Sequence, residues 1–105
     1  MTRDEILVMK ADRQMDALIA KELFNKTAVV AGNGAIVGVK NYSTDIAAAW
    51  EVLDKLNCAF TVARAWKIDD KEWTGFSCWI AGASALGETT PLAICRAALL
   101  AILHE

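Results

Sequence analysis

Six residues of this 105-residue chain are the best suited to hold a ligand: Arg64, Trp66, Trp79, Thr89, Thr90 and Arg96. Arg64 lies in the apolar run FTVARAWKI, two residues from Trp66 and across the next strand from Trp79. A guanidinium grips a phosphate or carboxylate through paired N–H groups, and an indole beside it can stack a base. The simpler alternative is an arginine whose stem packs on tryptophan while its head reaches water. Thr89-Thr90-Pro91 opens an apolar helix, and the free N–H groups of a helix start attract anions. Glu88 opposes that use, and plain capping explains the threonines equally. Arg96 is the only charge between Leu92 and Leu103. A charge buried in such a helix needs a partner, with Asp45, Glu22 or a ligand anion as candidates.

Catalysis finds no such set. Cys58, Cys78 and Cys95 lie in apolar segments, and the single histidine, His104, is next to the last residue. Asp69-Asp70 are adjacent acids in a turn, where carboxylates are ordinarily just solvated. No catalytic residue and no cofactor are assigned, and an enzyme is not expected. Three cysteines without C-x-x-C spacing do not build a four-ligand metal site, so no metal is assigned; their odd number suits a reducing cytoplasm. Gly32, Gly34 and Gly38 resemble a dinucleotide loop only loosely, because the spacing differs and a strand follows.

The elements that position these residues read from the pattern. Hydrophobic residues make up 55% of the chain and charged residues 23%, which excludes disorder. The net charge is −2 with scattered basic residues, so nucleic-acid polymers are not expected partners. No apolar run approaches the roughly 20 residues of a membrane span, and no signal peptide opens the chain. Thr2 and Glu5 form a capping box for a short helix through Met9. A second helix runs over Asp12–Phe24. Strands at 28–31 and 36–40 flank Asn33-Gly34, a hairpin turn whose central residues take positive φ. Ser43 or Thr44 caps a helix at 44–57, with Ile46, Ala49, Trp50, Leu53 and Leu56 as its apolar stripe.

Strands at 58–68 and 72–81 follow, joined through Asp69-Asp70-Lys71. The period of two puts Phe60, Val62, Arg64, Trp66 and Ile68 on one face with Trp73, Gly75, Ser77 and Trp79. The other face carries Thr61, Ala63, Phe76, Cys78 and Ile80, which separates Cys58 from Cys78 and argues against a disulfide. Both faces are largely apolar, so both must be covered, by helices or by another subunit. Thr90 caps the last helix, with Pro91 at its first position. One domain over 1–105 results, α+β in class: an antiparallel sheet between helices in the order α-α-β-β-α-β-β-α.

Two stretches carry a family resemblance. Tyr42–Leu56, YSTDIAAAWEVLDKL, and Pro91–Leu103, PLAICRAALLAIL, with the opening MTRDEIL and the Arg13–Ala20 helix, resemble the phage ABA sandwich domain family. These are small proteins of bacteriophages and prophages, named for α-β-α layers. The resemblance implies that fold and a phage origin, and assigns no chemistry. Small phage proteins of this kind are often accessory, and some blunt host immunity by trapping nucleotide-derived signals. The combined expectation is a cytoplasmic homo-oligomer of the bacterial host that binds a small anionic nucleotide ligand. A protein-binding module, with an exposed apolar patch around Trp73 or Phe76, is the alternative.

Overall fold

The computed structural model describes the backbone of residues 2–68 and 71–103, and side chains outside 65–74. The expected turn at Asp69-Asp70 and His104 lie outside the described residues. The chain folds as α1 (Arg3–Leu7), α2 (Arg13–Phe24), β1 (Val29–Val30), β2 (Ile36–Val37), α3 (Ile46–Leu56), β3 (Phe60–Ile68), β4 (Lys71–Ile80), β5 (Ala83–Gly87) and α4 (Thr90–Leu103). This is the α+β order read from the sequence, with one further strand, β5. Two antiparallel sheets form, β1-β2 and β3-β4-β5. No helix among the described residues is long and apolar enough to cross a membrane.

The helix starts are built locally. Thr2 Oγ1 accepts from Glu5 N at 3.2 Å while Glu5 Oε1 accepts from Thr2 N at 3.3 Å, the expected capping box. Asp12 caps α2 by accepting from Met15 N at 3.0 Å. For α3 the cap is Asp45, accepting from Ala47 N at 2.9 Å, rather than Ser43 or Thr44. Ser43 is drawn instead to Asp16, to which its amide and hydroxyl donate. The apolar face of α3 is also turned from the expected stripe. Ala48, Ala49, Val52 and Leu53 are buried, while Trp50 stays 48% exposed and stands edge-on to Phe60.

Helix α4 holds the core together. Pro91 to Cys95 and Ala97 to Leu100 are all buried, because α4 touches β4 and β5 on one side and α1, α2 and α3 on the other. The layers within one chain are therefore the three-stranded sheet, then α4, then the remaining helices. Cys78, Ile80 and Ala85 face α4 and are buried. On the opposite face Trp79 is 41% exposed and Leu86 38% exposed. One chain thus covers only one face of its sheet.

The β3–β4 register departs from the simple alternation. Ile68 pairs with Lys71 and Lys67 with Glu72, but beyond the shift Ala65 pairs with Gly75 and Arg64 with Phe76. One residue of β3, 66, is matched by two of β4, 73 and 74. Such a bulge moves every later side chain to the other face, because the side-chain period is two. Phe60, Val62 and Arg64 therefore share a face with Phe76, Cys78 and Ile80, not with Trp79. The face argument that separated Cys58 from Cys78 fails with it, although all three cysteines are free thiols.

Two turns also differ from their local signals. Around Asn33 the loop closes through Ala31 N to Ala35 O at 2.8 Å. Only Gly34 takes positive φ, so three residues rather than two span the hairpin. Between β4 and β5, Ile80 pairs with Ala83 across Ala81-Gly82, and both turn residues have positive φ, 50° and 87°. That is the two-residue hairpin geometry normally marked by Asn-Gly. An alanine in the left-handed region costs roughly 1 kcal/mol or more. Ala81→Asn keeps the turn and relieves part of that cost, so its urea midpoint should correspond to a gain of about 0.5–1 kcal/mol.

Candidate functional site

The six residues singled out in the sequence do not converge on one face. Arg64 is exposed on β3, on the side of the sheet that α4 packs against further along. Trp79 pairs with Thr61 on the opposite side. The bulge separates the expected arginine–tryptophan pair. The side chain of Trp66 lies outside the described residues. Thr89, not Thr90, caps α4: its Oγ1 accepts from Leu92 N at 3.4 Å and its carbonyl from Ala93 N at 3.1 Å.

Arg96 is an anchored cation whose partners are not carboxylates. Its Nε and Nη2 donate to Met9 O at 3.1 and 2.9 Å, and Nη1 donates to Leu86 O at 2.8 Å. The expected partner Asp45 caps α3 instead. Arg96 ties the segment after α1 to β5 and satisfies carbonyls that secondary structure leaves free. Burial lowers the pKa of its guanidinium, and the Glu88 charge opposes that fall. Three of its five N–H groups are used in these bonds, which leaves two and fixes the group in place.

Arg96 lines a cleft of about 370 Å³ along the free edge of β5. Arg3 and Leu7 line it from α1, four residues apart and so on one helix face. Ala85, Leu86, Ser84 and Ser77 complete it from the sheet. A second cleft of about 460 Å³ continues past the Ala81-Gly82 turn and shares Arg3 and Ser84. Among the described residues the lining of the groove holds two arginines, two serine hydroxyls and no carboxylate. Such a groove can accept an anion of nucleotide size, since guanidinium and hydroxyl groups supply donors only where they are not already committed. Arg96 was visible in the sequence. Arg3 and Ser84 were not, because only β5, a strand of small residues, brings them together.

A second polar cluster is structural. Asp16, in the first turn of α2, is 1% exposed. Its carboxylate accepts from Ser43 N at 2.8 Å, Ser43 Oγ at 2.7 Å and Arg13 Nη1 at 2.9 Å. Arg13 also donates to Val39 O at 2.9 Å and Asn41 Oδ1 at 2.6 Å. The cluster fastens the 36–43 segment to α2, and it is closed on itself. Tyr42 next to it is buried, stacked on Phe24 at 5.1 Å.

Cys78 and Cys95 are buried free thiols, whereas Cys58 is exposed. Burial pushes Cys78 up to about 11, and raises Cys95 further. A thiol that ionises later in the folded than in the unfolded chain makes stability fall as pH rises. The urea midpoint should therefore drop between about pH 9 and pH 11, the interval between the ordinary thiol value of 9.0 and the folded value of Cys78. Among the described residues no cluster of three His, Cys, Asp or Glu side chains could hold a metal ion.

The phage ABA sandwich domain matches residues 7–99. The chain belongs to that family. This phage ABA sandwich domain is also similar to a phage protein from Bacillus cereus ATCC 14579, whose crystal structure was solved at 2.0 Å. The two are 29% identical, with a TM-score of 0.63, over 90% of this chain and 89% of the other. No curated protein matches the chain.

Proposed function

We propose that this phage ABA sandwich domain is a non-enzymatic accessory protein that binds and sequesters a small anionic ligand, a nucleotide-derived signal of the host's immune response being the sharpest form. The reading places the ligand in the groove along β5. What carries it is Arg96, held by two carbonyls from different segments with two N–H groups left, beside Arg3 in a lining that has no carboxylate among the described residues. A guanidinium fixed in this way loses little side-chain freedom when an anion arrives.

Melting of the purified protein with millimolar cyclic nucleotides and ADP-ribose derivatives tests the reading. A ligand at about tenfold over its Kd adds about 1.4 kcal/mol, which raises Tm by several degrees in a domain of this size. The rise should shrink in Arg3→Gln, whose side chain is exposed, and vanish in Arg96→Gln. The nucleotide recovered after denaturation should be unchanged. No shift with any of these anions sinks the reading, and a hydrolysed nucleotide replaces it with an enzyme.

A protein-binding module is the second reading. It is favoured by an exposed apolar patch of Ile46, Trp50 and Phe60. The patch expected around Phe76 is not the one involved, since Phe76 is half-buried toward α4. The side chain of Trp73 lies outside the described residues. On this reading Trp50→Ser abolishes partner capture and leaves the melting shifts intact.

A further inference from the structure

We infer that the free edge of β5 reads a nucleobase: the main-chain N–H and C=O of Ser84 pair with an acceptor and a donor on the base edge, and the N–H of Leu86 joins Arg96 on the phosphate. This contact builds on the anion reading above and tells a nucleotide from other anions. Strand β5 is the outermost strand of its sheet and pairs with β4 on one side. Ile80 and Ala83 close the two-residue turn at Ala81-Gly82 and so exchange both hydrogen bonds. Bonded pairs alternate along an antiparallel ladder. Ala83, Ala85 and Gly87 therefore turn their main-chain groups to β4, whereas Ser84 and Leu86 turn theirs to the free edge. The bond from Arg96 Nη1 to Leu86 O at 2.8 Å lies on that edge.

Ser84, Ala85 and Leu86 all line the cleft of about 370 Å³. Consecutive strand residues point to opposite faces, so a cleft that touches all three opens on the strand edge between those faces. Among the described residues no protein group bonds to Ser84 N, Ser84 O or Leu86 N. The fully open stretch is one residue long. Past Leu86 N the Leu86 carbonyl is taken by Arg96, and before Ser84 the edge ends at the Ala81-Gly82 turn. A peptide that adds as a fourth strand draws its affinity from a row of main-chain pairs. This edge offers one complete donor–acceptor pair, which suits the edge of a single base.

The chemistry of the edge selects the same occupant. A ligand that fills the cleft takes water from Ser84 N–H and C=O, and a buried main-chain group without a partner costs free energy. Ionised phosphates and carboxylates offer acceptors alone, which serve the N–H and leave the carbonyl unpaired. A nucleobase holds both kinds of group side by side in one plane, as adenine does with its N6–H donor beside the N7 acceptor. Leu7 and Ala85 supply apolar surface for its ring. Leu86 N–H lies about 7 Å along the strand from Ser84 N–H. It stands next to the Arg96 guanidinium, so the phosphate, one ribose away from the base, meets donors from both.

Adenosine 5′-monophosphate and ribose 5-phosphate carry the same phosphate and differ in the base, so calorimetric titration of the intact chain with each isolates the base contact. The nucleotide should bind about tenfold more tightly. Ser84→Pro removes the outward N–H and no ladder bond, at a place where an edge strand tolerates proline. It should erase the preference with an unchanged circular dichroism spectrum, while Ser84→Ala, which keeps the main chain, retains it. Hydrogen exchange of the wild-type chain reads the contact without a variant. The Ser84 amide should exchange about tenfold more slowly with saturating adenosine 5′-monophosphate than with saturating ribose 5-phosphate. Equal wild-type affinities for the two compounds overturn the base contact and leave the anion reading standing, whereas binding of neither overturns both. A folded Ser84→Pro that keeps the preference also overturns it. So does joint protection of the Ser84 and Leu86 amides by the end-capped acidic pentapeptide EVTVE, which assigns the edge to a protein strand.

Discussion

Asp16→Ala should lower the stability of the fold by about 3–5 kcal/mol, the cost of removing one member of a buried ionic hydrogen-bonded group. The carboxylate is fully enclosed and answers three donors: the Ser43 amide, the Ser43 hydroxyl and Arg13 Nη1. Truncation leaves the amide and hydroxyl of Ser43 buried with no acceptor, and each such loss costs about 1–3 kcal/mol. Arg13 is partly exposed and regains water, so it adds less. The 36–43 segment then loses its tie to α2. Urea unfolding followed by tryptophan fluorescence reads the change, with Ser43→Ala as the smaller member of the series at about 1–2 kcal/mol. A loss under about 1 kcal/mol for Asp16→Ala would mean that the cluster does not hold the segment.

Gly87→Ala should cost about 3 kcal/mol, at the upper end of what overpacking does. A Cβ at position 87 would stand 2.6 Å from Ala93 N, 3.0 Å from Ala93 Cα and 3.1 Å from Leu92 C. These are backbone atoms of α4, which no rotamer change can move. Either β5 or the first turn of α4 must retreat, and the neighbouring bond from Arg96 to Leu86 O lengthens with it. Gly32→Ala is the control, since nothing lies within 4 Å of its Cβ, and it should stay within about 0.5 kcal/mol of wild type. Thermal melts of the two variants side by side separate a steric role from a general glycine effect. Equal stability of Gly87→Ala and wild type would show that β5 is not wedged against α4.

What the sequence made legible was what neighbouring residues decide. The Thr2–Glu5 capping box, the turn around Asn33-Gly34, the helices and the all-round apolar character of α4 follow from short-range chemistry. Features set at a distance were hidden. Strand β5 reads ASALG, weak in the β-branched and aromatic residues that mark strands, and forms because Ala81-Gly82 folds it back on β4. The bulge opposite residue 66 has no composition signal, yet it decides that Arg64 and Trp79 lie on different faces. Asp16 looks like one more wet-face acid of α2 until Ser43, 27 residues away, closes over it. Arg96 was legible as a charge that needs partners. Which partners was not, because backbone carbonyls of Met9 and Leu86 leave no trace in residue type.

The groove reading turns on whether Arg96, once anchored, still takes an anion. Titrating ¹⁵N-labelled protein with ADP-ribose, and following the Arg96 Nε–H and the amides of Ser84 and Leu86, addresses this directly. A saturable shift of all three signals, needing more ligand to saturate in Arg3→Gln, is the predicted result. Shifts confined to Thr89 and Thr90, or no saturable shift at millimolar ligand, would contradict it.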